Sequence, residues 1–205
     1  MMSLEQIILA VPAILFAISV HELGHAFMAY KLGDPTPKYQ GRLTLNPFAH
    51  LDILGTIMLL VFRFGWAKPV RINSSYFKNR KQATILVSLA GPLANIISAW
   101  IFYNLMRFTG FYLANASFAI ALFIFFQISV QMNLGLAAFN LLPIPPLDGS
   151  HILQGFLPPR LEYEFSKLAA YGPLLLMLLL ITGGARYIIN PIYNVLINII
   201  TTLSF

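Results

Sequence analysis

Cysteine is absent from the 205 residues. Disulfides and thiolate ligands are therefore excluded, and any metal must be held by His, Asp or Glu. Charge is nearly as scarce: charged residues make up 10% of the chain and hydrophobic ones 58%. That balance belongs to a polytopic membrane protein rather than a soluble one. The opening MMSLEQ lacks a basic run, and the apolar stretch behind it continues through HELGHAFMAY without a small-residue cleavage pattern, so a retained helix is expected in place of a secretory signal. The net charge of +6 comes from basic residues in loops beside apolar spans. No basic, aromatic-laced recognition motif accompanies them, which argues against nucleic acid and for anionic lipid headgroups as the partner.

Within the first apolar run, residues 21 to 25 read HELGH. On a helix His21 and His25 are i and i+4, so both imidazoles project from one face toward a single ion, and Glu22 stands beside them as a base for an attacking water. HExxH also arises by chance. Ionisable groups in a membrane helix, however, cost several kcal/mol even on lenient insertion scales, and they usually face a protein interior or wet cavity with a purpose.

Apolar runs suitable for spanning fall at about 4 to 30, 82 to 107, 116 to 142 and 168 to 183. The stretch from Leu51 to Phe64 reaches only about 20 Å as a helix, short of a hydrocarbon core of about 30 Å. Both its flanks are basic, so it is expected to be re-entrant. Eleven Lys or Arg then lie on one side against two, Arg107 and Arg186, on the other, which makes the basic side cytoplasmic. Residues Pro35 to Asn46, PTPKYQGRLTLN, suit short extended strands better than helix. They would form either an edge for an unwound substrate near the metal or a plain surface hairpin. The tail from Tyr187 carries Asn190, Asn194 and Asn198 at helical spacing, one polar stripe on a helix that either spans or lies at the interface.

Hydrolytic zinc sites commonly use three protein ligands and keep a fourth position open. The residues alone offer Asp148, Asp52, His50 and His151 as the third. Asp148 sits in NLLPIPPLDG, residues 140 to 149, whose prolines end a span and present the carboxylate from an irregular loop. His50 and Asp52, in NPFAHLD, could instead be partners of the ligands or helix caps.

HELGH in an early membrane helix, LAGPLAN at 89 to 95 and NLLPIPPLDG at 140 to 149 together resemble the site-2 protease family of intramembrane zinc metalloproteases. NPFAHLDILG and GWAKPV, at 46 to 55 and 65 to 70, resemble further segments of its compact bacterial and archaeal members. The resemblance implies an all-α polytopic membrane protein with a three-helix catalytic core, additional helices and a short re-entrant β/helix segment. It also implies one zinc ion on His21, His25 and Asp148, with Glu22 as general base. Asn95 and Asn140 fall on motif positions, where an amide could bind unwound substrate or an oxyanion, or simply join helices. Gly91 and Pro92 read as helix-packing and kink residues.

The expected unit is a single membrane-embedded domain over 1–205, with its core at about 4–151 and accessory helices at about 160–205. No PDZ domain is expected between the spans and no regulatory nucleotide-binding domain at the C-terminal end. The expected activity is hydrolysis of membrane-anchored proteins, in regulated intramembrane proteolysis at the cell membrane, with the site opening to the cytoplasm. A regulatory membrane partner is left open. The rivals are a membrane-embedded metalloprotease acting on soluble or misfolded chains, and a non-enzymatic metal-binding transporter or scaffold.

Overall fold

The computed structural model describes residues 4–52, 55, 68–112 and 118–204. Eight α-helices are found among them: α1 (Leu4–Lys31), α2 (Thr36–Tyr39), α3 (Arg80–Tyr112), α4 (Ala119–Asn140), α5 (Asp148–Phe156), α6 (Pro159–Ala169), α7 (Gly172–Ile181) and α8 (Ala185–Thr202). The expectation of an all-α membrane protein holds. Three helices, α1, α3 and α4, are each long and apolar enough to cross a bilayer.

These three pack on one another as the core, with α5 against α3 and α8 against α3 and α4. Small residues set the close approach of α1 and α3. Ala13, Ala17, Ala26 and Ala29 are buried along one, and Ala83, Ala90, Gly91 and Ala99 along the other. Lipid offers no hydrophobic drive to association, so backbones that come close gain their stability from packing. A Cβ on Gly24 would sit 2.6 Å from the Ala90 carbonyl oxygen, which shows how tight the α1–α3 crossing is. The α3–α4 seam is filled by Ala99, Val130, Leu134, Ala137 and Ala138, and α8 closes it with Leu196 and Ile200.

Helix α1 stops at Gly33, whose φ of 106° is a conformation that glycine adopts without a Cβ penalty. The next residue, Asp34, is fully buried and accepts from the backbone N–H of Thr36 and, at 2.7 Å, of Asn73. Arg42 is buried as well and donates to the carbonyls of Ala49 and Lys68. These two charged residues clamp both ends of an irregular strip, Lys68 to Asn73, beside the amino-terminal half of the core.

Two expectations are corrected. Residues 35 to 46 do not form strands: proline at the first turns favours helix initiation, and Thr36–Tyr39 closes one helical turn, followed by turns through Gly41. The expected span at 168 to 183 is broken. Helix α7 has ten residues, about 15 Å of rise, and meets α6 at a 60° bend, so only the pair together has the length to cross. The tail is helical, and Asn190, Asn194 and Asn198 all lie on its exposed face. Most of the segment expected to be re-entrant, Leu51 to Phe64, lies outside the described residues.

Candidate metal centre

His21 and His25 are one turn apart on α1, with imidazole Nε2 atoms 3.1 Å from each other. Asp148 Oδ2 approaches from the first turn of α5, 3.1 Å from His21 Nε2 and 3.3 Å from His25 Nε2. The loop that delivers it is built by local sequence. Leu147 N–H bonds back to Ile144 O, and Ser150 Oγ donates to Leu147 O, bracing the helix start. Gly149 lets that first turn settle against the carbonyls of Leu141 and Leu142, where a Cβ would overlap both.

The other ring nitrogens set the chemistry of these three atoms. His21 Nδ1 lies 2.7 Å from Asn95 Oδ1, and His25 Nδ1 lies 2.7 Å from the Val87 carbonyl oxygen. Both partners are acceptors, so both Nδ1 atoms carry the proton and both Nε2 atoms present lone pairs. Asp148 Oδ2 is buried without a hydrogen-bond partner. Three lone pairs converging in a buried space repel one another unless a cation lies among them. Two imidazoles and a carboxylate, with ligand atoms all within 4.8 Å, are a donor set that suits zinc. Burial opposes the charge on Asp148. When protons take the Nε2 positions, hydrogen bonds from His21 and then His25 outweigh it and hold the carboxyl down at about 2.

Glu22 is half-buried, and its Oε2 accepts the backbone N–H of Val70 at 3.2 Å. The irregular strip clamped by Asp34 and Arg42 therefore lies against the residue expected to act as base. Gly91 faces the histidines from α3, where a Cβ would collide with His25 Nε2 and come within 2.9 Å of His21 Cε1.

Of the four residues weighed as third ligand, only Asp148 joins the histidines among the described residues. His50 is buried with Nε2 2.9 Å from Thr44 O, Asp52 accepts from Gly55 N–H, and His151 is exposed on α5. Asn95 touches His21, but both its amide hydrogens are spent, one on Ala17 O and one on Asn133 Oδ1. That leaves it no donor for a substrate oxyanion. Asn140 donates to Leu136 O in its own helix.

Asn133 was not anticipated from sequence. A signal existed: it lies two turns before Asn140 on a largely apolar span, and a buried amide there needs a partner. The backbone groups of Val87 and Val70 carried none, since their identity at those positions is irrelevant to the bonds they make.

The model for peptidase family M50 matches residues 108–180, which include Asp148 but not His21 or His25. YwhC of Bacillus subtilis (strain 168), named a candidate zinc metalloprotease, is 43% identical over 183 residues, 88% of this chain and 84% of the relative. Rip2 of Mycolicibacterium smegmatis, similarly named, is 34% identical over 196 residues, covering 91% and 72%. MJ0611 of the archaeon Methanocaldococcus jannaschii, also so named, is 34% identical over 145 residues, covering 69% and 71%. No solved structure matches the chain. Relatives of this similarity and coverage, together with a helical membrane fold and a His, His, Asp cluster of zinc-ligand type, place the chain in peptidase family M50, the site-2 protease family.

Proposed function

We propose that this protein is an intramembrane endopeptidase that hydrolyses peptide bonds of membrane-anchored proteins, with its catalytic unit in residues 4–151 and accessory helices after 160. The observation that carries this reading is depth. His21 lies ten residues before the basic end of α1 at Lys31, about 15 Å along the helix, well inside a segment able to span the bilayer.

His21, His25 and Asp148 are the ligands in this reading. When bound there, zinc supplies Lewis acidity, polarising a carbonyl oxygen and making water a stronger nucleophile at neutral pH. Glu22 takes the proton from the attacking water as its oxygen bonds to the scissile carbonyl carbon. It then returns a proton to the amide nitrogen, so that the C–N bond breaks and the amine leaves neutral. Val70 N–H holds one Glu22 oxygen, orienting the carboxylate. In this reading Asn140, at the end of α4 next to the loop that carries Asp148, binds unwound substrate backbone. Lys31 ends α1 where Ala29 packs with Ala83, and Lys81 Nζ reaches Leu157 O at the end of α5 remote from Asp148; these basic residues mark one end of the bundle, and basic termini favour the cytoplasmic face. That supports a plasma-membrane enzyme whose site opens to the cytoplasm.

The test is cleavage of a transmembrane substrate by protein reconstituted in liposomes, wild type against Glu22→Gln. Loss of a general base is expected to cost about 10²- to 10⁴-fold in rate with zinc content unchanged. Normal turnover by Glu22→Gln would remove Glu22 from the mechanism. A soluble loop peptide cut as fast as the transmembrane one would replace the membrane-anchored substrate with a soluble chain. Zinc flux into sealed vesicles without proteolysis would make the protein a transporter.

A further inference from the structure

We propose that Asn133 is a positioning residue of the metal centre: acting through Asn95, it fixes which ring nitrogen of His21 carries the proton. The inference rests on the proposed role of His21 as a zinc ligand.

The geometry is a one-way chain of donors and acceptors across three helices. Asn133 on α4 is fully buried, and its Nδ2 donates to Ser129 O at 2.8 Å. A backbone carbonyl can only accept, so this bond fixes the Asn133 amide with its nitrogen toward its own helix and its oxygen toward α3. That oxygen accepts from Asn95 Nδ2 at 2.9 Å, and the same nitrogen donates to Ala17 O at 2.9 Å. With two acceptors on that side, the Asn95 amide nitrogen must face them and its oxygen must face His21 Nδ1, 2.7 Å away. His21 consequently holds its proton on Nδ1 and offers the Nε2 lone pair to the site.

A flipped Asn95 would set its oxygen against two others and turn its amine on His21 Nδ1. The ring would then move its proton to Nε2, the atom 3.1 Å from Asp148 Oδ2, and a protonated Nε2 cannot ligate. Ala17 O alone opposes the flip weakly, because it also takes the helical N–H of His21. Asn133 supplies the second acceptor. Both asparagines are fully buried, so a leucine that fills the Asn133 volume leaves no room for water to replace the missing group, and partners that orient a ligating histidine typically change metal affinity by 10- to 100-fold when lost.

The experiment uses the full chain in detergent micelles with zinc as the probe. It measures chelator competition for affinity and the ¹⁵N spectrum of labelled histidines for the tautomer, of which the chain has four to resolve. Asn133→Leu is expected to weaken zinc binding about tenfold and to bring Nε2-protonated signal into the zinc-free spectrum. Asn133→Ser, which withdraws the oxygen from Asn95 but stays polar, gives the same shift should the leucine variant misfold. In the Asn95→Asp background the effect shrinks to within twofold, because a carboxylate accepts from His21 whichever way it is turned. An unchanged tautomer and affinity in both variants overturns the inference alone. So does an equal loss in the Asn95→Asp background, which would mark Asn133 as a packing residue. A wild-type chain that binds no zinc overturns the inference and the proposed function together.

Discussion

Val70 N–H donates to Glu22 Oε2 at 3.2 Å across 48 residues of chain, so a backbone group in an irregular strip holds the carboxylate that stands beside both histidines. A hydrogen bond to a charged group is worth about 1.5–3 kcal/mol, equivalent to about 10- to 100-fold in rate if the bond serves the transition state. Val70→Pro deletes the N–H and is expected to lower kcat by about that factor while leaving zinc content at one ion per chain. Val70→Ala keeps the N–H and the rate. Equal rates for the proline and alanine variants, measured on a reconstituted transmembrane substrate, would dissociate Val70 from Glu22 function.

Gly91 supplies a second prediction. Alanine is the better helix former by about 1 kcal/mol, so Gly91→Ala is not expected to unfold α3. Its added Cβ would instead occupy the space of the His25 and His21 imidazoles. The expected result is a monodisperse, fully helical protein with zinc content below half an ion per chain by elemental analysis. Stoichiometric zinc in this variant would mean that the helices separate easily at the site.

These two residues also show where the sequence was readable. HELGH, LDG and the long apolar runs announced themselves, because i, i+4 spacing, proline-rich breaks and hydrophobic length each have one dominant structural consequence. Gly91 was legible as a packing residue, but its neighbours were not, since the helix that approaches a glycine is decided by the register of α1 against α3. That register pairs His25 with Val87 and His21 with Asn95, and nothing local specifies it. The strands expected at 35 to 46 failed for a related reason: Pro35 and Pro37 start a helical turn as readily as they bound a strand. The ordered irregular strip lies instead at 68 to 73, held by Asp34 and Arg42 through the distant backbone groups of Asn73 and Lys68.

Gly149 tests how Asp148 is delivered. A Cβ there would overlap the carbonyl oxygens of Leu141 and Leu142, so Gly149→Ala should push the first turn of α5 off the end of α4 and withdraw Asp148 from the histidines. Its zinc affinity is expected to fall as far as that of Asp148→Ala, the direct loss of a ligand. A Gly149→Ala protein that binds zinc like wild type would show that the loop absorbs the methyl group without moving the carboxylate.

Arg42 tests whether the strip acts as one piece. Its guanidinium bonds two carbonyls, Ala49 and Lys68, while Lys68 N–H bonds His50 O. Removing it takes two hydrogen bonds from these partly buried carbonyls, at about 0.5–1.5 kcal/mol each. Arg42→Ala is therefore expected to loosen the strip, speed limited proteolysis between residues 43 and 73, and lower kcat without changing zinc content. If its kinetic effect runs through Val70 and Glu22, then Arg42→Ala combined with Val70→Pro should cost little more than the larger single change, since residues acting through one shared contact are not additive. Full additivity of the two rate losses would place Arg42 on a separate path, stabilising the loop without aiming the base.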